Sequence, residues 1–96
     1  MSMKPSLPEY GTDATGADTY ATVINGITRE CHNLSAVCDT QDAIISLDGG
    51  TTDHLFVDAS QGQLVFQGLV IPKAAVIQGK NASAGNNYAN LRITVW

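Results

Sequence analysis

Charge is scarce in this sequence, and positive charge is the scarcest. Only 15% of the 96 residues are charged, and the five lysines and arginines are scattered through a chain of net charge −4, whereas soluble domains carry about 25% charged residues. Binding to a phosphate backbone needs clustered positive charge, so direct contact with nucleic acid is not expected. A surface of Thr, Ser, Asn, Gln and Gly costs little to desolvate, which favours contacts between subunits.

Long apolar runs are lacking as well. No run approaches the roughly 20 residues that a membrane span needs, and the first twenty residues lack the charged head and apolar stretch of a secretory signal. We therefore predict a soluble protein, made in the cytoplasm, with no membrane partner. A chain of 96 residues forms one small domain, which buries only about 60–65% of its unfolded surface and gains stability from partners.

Residues that bind metals are few. Two cysteines and two histidines are the only soft or imidazole ligands, and the step from Cys31 to Cys38 does not match the Cys-x(2–4)-Cys spacing of structural zinc sites. In one extended strand their sulfurs would lie more than about 20 Å apart, which favours two free, partly buried thiols. The alternative, a disulfide, needs a tight turn at residues 32–35. No metal or cofactor is predicted.

Catalytic groupings are also missing from the sequence. His54 follows Asp53, and His32 follows Cys31, but neighbouring residues of a strand point to opposite faces. No serine has the glycine-flanked turn that exposes a nucleophile. We therefore predict that the protein is not an enzyme and has no catalytic residues.

What the sequence has in quantity is short β-type runs separated by Gly, Asp and Asn turns. Their turn signals recur every 8–12 residues or so, the spacing of small all-β proteins. We predict an all-β fold, a small antiparallel β-sandwich or jelly-roll-like barrel of about seven short strands in residues 20–96. Residues 1–19 are poor in apolar side chains and form an extended or disordered N-terminal arm.

Two runs, residues 42–50 and 53–60, form the clearest unit. They are joined by the polar sequence DGGTTD, whose adjacent glycines supply the positive φ that a turn requires, so we predict a β-hairpin. The aspartates around this turn lack the alternating oxygen ligands of a calcium loop and are typical of hairpin ends. They are Asp48, Asp53 and Asp58.

Three further segments have characteristic patterns. Residues 20–31 fit strands with a tight turn at Asn25 and Gly26 better than a helix, because β-branched residues are poor helix formers. Residues 62–72 form a strand that is either covered on both faces or broken at Gly68. Alternation places Leu34, Ala36 and Cys38 on one face of a strand, and in the last strand it places Leu91, Ile93 and Val95 inward and Arg92, Thr94 and Trp96 outward.

The aromatic residues divide into core and candidate binding residues. Phe56 and Phe66 lie within apolar runs, so we predict that both are in the core. Tyr88 and Trp96 remain as candidates for a sugar-binding face, with several asparagines nearby in sequence. Trp96 fits an anchor in a subunit contact at least as well, because tryptophan is enriched at such positions.

The segment from AIISLDGG to LRITVW resembles the small β-structured virion proteins of tailed bacteriophages, and covers a little over half the chain. The residues that carry the resemblance are 48–50, 68–72, 78–81 and 90–96. It implies a non-enzymatic structural role in the virion, either in capsid decoration or cementing or in the neck or tail. Because these shared positions are turns and core, the resemblance assigns no functional residues.

Two hypotheses follow for the function. The first is an assembly protein that self-associates and binds a major capsid protein or another virion protein. In it, residues 64–70 and 91–96 provide packing surface, the N-terminal arm of residues 1–19 reaches across to a neighbouring subunit, and Tyr88, Arg92, Thr94 and Trp96 lie at the interface. Here the last strand is expected to be an exposed edge on which a neighbouring subunit packs. The second hypothesis is a carbohydrate-binding β-sandwich module.

Overall fold

The computed structural model describes residues 9–14, 19–82 and 90–96. Over this part of the chain the protein is all-β, as predicted, with seven strands in residues 20–96 and one more in the N-terminal segment. The strands are β1 (Glu9–Ala14), β2 (Ala21–Asn25), β3 (Leu34–Asp39), β4 (Ala43–Ser46), β5 (Leu55–Val57), β6 (Leu64–Phe66), β7 (Val76–Asn81) and β8 (Asn90–Val95). A single 3-10 turn covers Ala59–Gln61.

The strands form two four-stranded antiparallel sheets that pack face to face. The front sheet has the order β1-β8-β3-β6, and the back sheet has the order β2-β7-β4-β5. Side chains that alternate along each strand enter the space between the sheets, as in other β-sandwiches. The predicted antiparallel sandwich is therefore confirmed.

The core lies between the two sheets and contains the residues that period-two alternation selects. From the front sheet it takes the predicted inward residues of β3 and β8, and from the back sheet Ala43, Ile45, Val57 and Ile77. The cysteines Cys31 and Cys38 are also buried, and both are free thiols. The predicted free thiols are thus confirmed, although they are more deeply buried than the sequence suggested.

The last strand is not an edge, contrary to the prediction. β8 lies between β1 and β3, with Glu9 opposite Val95 on one side and Leu34 opposite Val95 on the other. Alternation along a strand tells which face each side chain occupies, but it does not tell which strands pair with it. The neighbour that covers this edge is the extended N-terminal segment, whose residues Glu9–Ala14 run antiparallel to β8.

The sequence predicted a tight turn at Asn25 and Gly26, but the segment after β2 does not turn back to form a hairpin. Gly26 has a φ of +90° and ends the predicted strand, but β2 pairs with β7 instead of with the next strand. The chain then runs beside residues 71–75, where the Ile27 nitrogen donates to the Ala75 oxygen at 3.1 Å and Cys31 forms an isolated bridge with Ile71. A distant segment thus takes the hydrogen bonds that a local hairpin would have used.

The β4–β5 hairpin forms as predicted, with positive φ at Gly49 and Gly50. Residues 62–72 follow the second of the two alternatives, because only Leu64–Phe66 is a strand and Gly68 has a φ of +72°. The prediction that Phe56 is a core residue is wrong, since its side chain is 53% exposed. Its neighbour Val57 is the residue of β5 that points into the core, and in a strand adjacent residues face opposite ways.

Candidate functional site

The outer surface of the front sheet carries the predicted interface residues of β8. Its cross-strand rows are set by the register, with Ser35 of β3 lying between Val65 of β6 and Thr94 of β8. In the next row Val37 lies opposite Arg92. We call this surface, with Trp96 at its end, the front face: Ser35, Val37, Val65, Arg92, Thr94 and Trp96.

The front face combines exposed apolar side chains with very little charge. Val65 is 53% exposed and Trp96 is 40% exposed, and the row through Val65, Ser35 and Thr94 has no charged residue. The amide of Gln63 donates to the Ser35 hydroxyl. Arg92 is therefore the charged residue of these two rows, and Asp39 of β3, which is exposed opposite Asn90, adds a carboxylate one row further along the same surface.

Trp96 is held firmly although it is the last residue. Its nitrogen donates to the Asn33 oxygen at 3.1 Å, and its own oxygen accepts from the nitrogens of His32 and Asn33 at 2.9 and 3.0 Å. These bonds fix the backbone from which the indole projects, and ordering a segment before it binds lowers the entropy cost of a contact.

Another exposed apolar residue lies at this end of the sandwich. Val70 is 71% exposed and sits in a loop that is bonded to the same segment, since the Leu69 nitrogen donates to the His32 oxygen at 2.8 Å. The His32 ring nitrogen Nδ1 lies 2.9 Å from the Leu69 oxygen. Because Trp96 and the loop of Val70 are both attached to residues 31–33, we call Val70 and Trp96 the end patch.

The structure brings three of the four predicted interface residues together on the front face. Arg92, Thr94 and Trp96 lie there, and Tyr88 lies outside the described residues. Sequence reasoning placed Val65 within the packing surface of residues 64–70 but did not say which of those residues face outward. The available signal was the alternation of Leu64, Val65 and Phe66, which puts the middle residue on the opposite face from its neighbours.

The outer surface of the back sheet has a different character. One cross-strand row joins Lys80, Ile44 and Phe56, and the ammonium of Lys80 lies 4.8 Å from the centre of the Tyr20 ring. Such a distance is typical of a cation–π contact. We call this row, from Tyr20 to Phe56, the back row.

Asp53, in the loop of the β4–β5 hairpin, links that loop to the back row. The Tyr20 hydroxyl donates to Asp53 Oδ1, and Lys80 Nζ lies 3.3 Å from the same oxygen. Burial, followed by the hydrogen bond to Asp53, raises the pKa of Tyr20. The same hydrogen bond, with help from Lys80, lowers the pKa of Asp53, so the pair is held as a neutral phenol and a carboxylate.

The neighbouring aspartates are occupied in shaping turns. Asp48 Oδ1 accepts from the Ser46 hydroxyl at 2.7 Å and from the Thr52 nitrogen at 2.9 Å, and these bonds lower its pKa. Asp58 accepts from the Ser60 nitrogen at 2.9 Å and caps the 3-10 turn. In the described ranges no group of three or more His, Cys, Asp or Glu residues could hold a metal ion.

The cysteine thiols belong to the core and do not resemble reactive groups. Cys38 Sγ donates to the Val57 oxygen at 3.6 Å, and burial, with the nearby charge of Asp42, raises the pKa of Cys38 to about 11. A thiol that stays protonated at neutral pH is a poor nucleophile. Its role here is packing.

Comparison with known proteins returned no match. No protein-family model matches the chain, and searches of the curated proteins and of the solved structures found no match. No helix in the described part of the chain is long and apolar enough to cross a membrane. The chemistry of the two sheet surfaces is therefore the basis for a functional proposal.

Proposed function

We propose that this protein is a non-enzymatic virion structural protein, a capsid decoration or cement protein that self-associates and binds the capsid shell through its front face. The virion part of the proposal rests on the resemblance of residues 43–96 to small virion proteins of tailed bacteriophages. A place in the neck or tail is the alternative within the same class. The assembly part rests on the exposed residues of the front sheet.

The observation that supports assembly most directly is the exposure of Trp96 and Val65 on a surface whose described charged residues are Arg92 and, one row further along, Asp39. Single exposed apolar residues are normal on soluble proteins. Here an exposed indole on a hydrogen-bonded backbone shares a sheet face with an exposed valine, and the loop that carries exposed Val70 is bonded to the same segment as Trp96. Tryptophan is enriched at the energetic centres of protein interfaces, where neighbouring contacts exclude water.

Because of the way β8 is paired, a partner protein can contact it only through its side chains. Because both edges of β8 are paired within the molecule, a partner cannot add a strand to it while β1 is in place. The opposite edge of the front sheet is β6, a three-residue strand whose sequence LVF has no charge. Charged residues and prolines are common means of protecting sheet edges from association, and β6 has neither.

We propose two partners for this surface, a second copy of the chain and a major capsid protein or other virion protein. The weak charge of the front face suits both, since desolvating Thr, Ser and Val costs far less than desolvating Lys or Glu. Arg92 is the residue that would select an acidic group on the partner.

Sedimentation of the purified chain tests self-association. We expect a concentration-dependent oligomer that Val65→Glu dissociates, because a carboxylate would be buried without a partner. Trp96→Ala should weaken the same oligomer about thirtyfold or more, the effect of losing a hot spot of about 2 kcal/mol. Phe56→Glu is the matched control, since Phe56 is equally exposed but lies on the back sheet, and it should leave the oligomer unchanged.

The virion location needs a separate measurement. Mass spectrometry of purified phage particles from the source of the chain should detect the protein at a copy number related to that of the capsid protein, and the purified chain should bind empty shells. A monomer at all concentrations would contradict self-association, and absence from particles would contradict the virion role.

A further inference from the structure

A shallow depression on the back sheet lies beside the exposed ring of Phe56. Its volume is about 160 Å³, and it is lined by Ile44, Asp53, His54, Leu55 and Phe56. Pockets for drug-sized ligands usually measure about 300–1,000 Å³, so this one admits a single small ring lying on its surface. It is on the opposite side of the sandwich from the front face.

The floor of the depression is apolar. Ile44 and Phe56 lie directly opposite each other on adjacent strands, and the Phe56 side chain is 53% exposed. Leaving half of a phenylalanine in water forgoes roughly 1 kcal/mol of burial. A flat ligand with an apolar face that covers this ring would recover it.

The walls of the depression are polar groups whose orientations are already set. Asp53 Oδ1 accepts from the Tyr20 hydroxyl and lies 3.3 Å from the Lys80 ammonium, so Oδ2 is the oxygen that we assign as the acceptor for a ligand. The Leu47 nitrogen donates to His54 Nδ1 at 3.0 Å, so the neutral imidazole carries its proton on Nε2 and is a donor there. An acceptor and a donor therefore flank one apolar floor.

The charge around the depression disfavours an anionic ligand. Three carboxylates, Asp48, Asp53 and Asp58, belong to the same hairpin region, and the ammonium of Lys80 is engaged with Asp53. Phosphate or carboxylate ligands would be repelled. A neutral ring that has one apolar face and hydroxyl groups at its rim matches all of these features, because each hydroxyl can both donate and accept.

We propose that this depression binds one ring of a neutral saccharide, stacked on Phe56 and hydrogen-bonded by Asp53 and His54. The site differs from the sugar-binding face that the sequence suggested at Tyr88 and Trp96. It is also independent of the proposed assembly surface, so that either proposal can fail without the other.

Nuclear magnetic resonance of the full chain provides the test, with the methyl glycosides of glucose, galactose and N-acetylglucosamine as probes. A site of this size on an open surface should bind with a Kd in the millimolar range, about −4 kcal/mol. We expect amide shifts confined to residue 44 and residues 53–57 for at least one glycoside. Methyl glucuronide, which is anionic, should bind more weakly than methyl glucoside because of Asp53.

Four variants separate this site from nonspecific effects. Phe56→Ala should abolish the shifts, and Asp53→Asn should weaken binding about tenfold or more, the usual effect of losing a hydrogen bond to a charged group. Val65→Ala, on the opposite sheet, should bind as the native chain does. Phe56→Leu, which keeps an apolar side chain without a flat ring, gives the same information if Phe56→Ala does not fold.

The outcomes are distinct. Shifts that persist in Phe56→Ala or Phe56→Leu, or no shifts with any of the glycosides, would overturn the proposal. Shifts produced by ethylammonium but not by the sugars would also overturn it and would indicate a site for a lysine side chain. Sedimentation of the same samples should show that Phe56→Ala leaves the oligomeric state unchanged.

Discussion

Replacing Gly50 with alanine should destabilise the fold more than the same change at its neighbour Gly49. Both glycines have positive φ, +75° at Gly49 and +94° at Gly50, and an alanine in left-handed backbone costs about 1–2 kcal/mol. That cost is common to the two variants. They differ in what an added methyl group would meet.

At Gly49 the methyl group has no atom within 4 Å, whereas at Gly50 it lies 2.7 Å from Gln78 Oε1 and 3.3 Å from the Tyr20 ring. The end of the Gln78 side chain must therefore shift, and we expect the shift to break the 2.9 Å hydrogen bond from its Nε2 to the Thr22 hydroxyl. A typical hydrogen bond contributes about 0.5–1.5 kcal/mol net. We expect Gly50→Ala to cost about 2–3 kcal/mol and Gly49→Ala about 1–2 kcal/mol.

Thermal unfolding followed by circular dichroism measures both variants against the native chain. For a domain of this size, 1 kcal/mol corresponds to about 4–8 °C in Tm, so Gly50→Ala should melt several degrees below Gly49→Ala. The double variant Gly50→Ala with Gln78→Ala removes the side chain that clashes and should recover part of the difference. Equal losses at the two glycines would refute the packing argument and leave backbone strain as the only cause.

Two further predictions concern titration and thiol chemistry. Because the pKa of Tyr20 in the folded protein lies above its ordinary value of 10.0, its contribution to stability should be complete below pH 10 and decline as the pH rises further. Tyr20→Phe should flatten that decline in unfolding experiments. An unchanged alkaline profile in this variant would contradict the prediction. Burial and a pKa of about 11 should make Cys38 unreactive toward iodoacetamide at pH 8 in the folded protein, with rapid alkylation only in urea. The extent of alkylation is measured by mass spectrometry. Reaction of Cys38 in the folded protein at the rate of a free thiol would refute the prediction.

The elements of this fold with strong local signals could be predicted from the sequence. The β4–β5 hairpin rests on adjacent glycines that accept positive φ, and the inward residues of β8 rest on alternation alone. Both signals act between residues close together in the chain, so they do not depend on how distant segments of the chain pair or pack.

The pairing partners could not be predicted in this way. β8 was expected at an edge, but it lies between β1 and β3, and β2 pairs with β7 across more than fifty residues. Strand pairing joins segments through backbone groups that every residue has, so residue identity gives little information about the partner. The same reasoning explains Phe56, which was assigned to the core from its apolar run and is exposed because Val57 occupies the inward position.

The candidate surfaces depended on tertiary structure still more. Arg92, Thr94 and Trp96 could be placed on one face from the sequence, but Val65 joins them only because β6 pairs with β3. The site at Phe56 is assembled from a hairpin, a lysine of β7 and a tyrosine before β2, residues as far apart as Tyr20 and Lys80. The spacing of these residues in the sequence does not indicate that they lie together in the fold.

The sequence by itself determined the fold class, the extended character of the strands and the scarcity of charge on the surface, because these follow from local backbone preferences and composition. Only the tertiary structure decided which edges are covered, which apolar side chains stay in water and which polar groups meet. Those outcomes depend on non-local pairing of the strands, and a change of one residue in register would move every side chain of a strand to the other face.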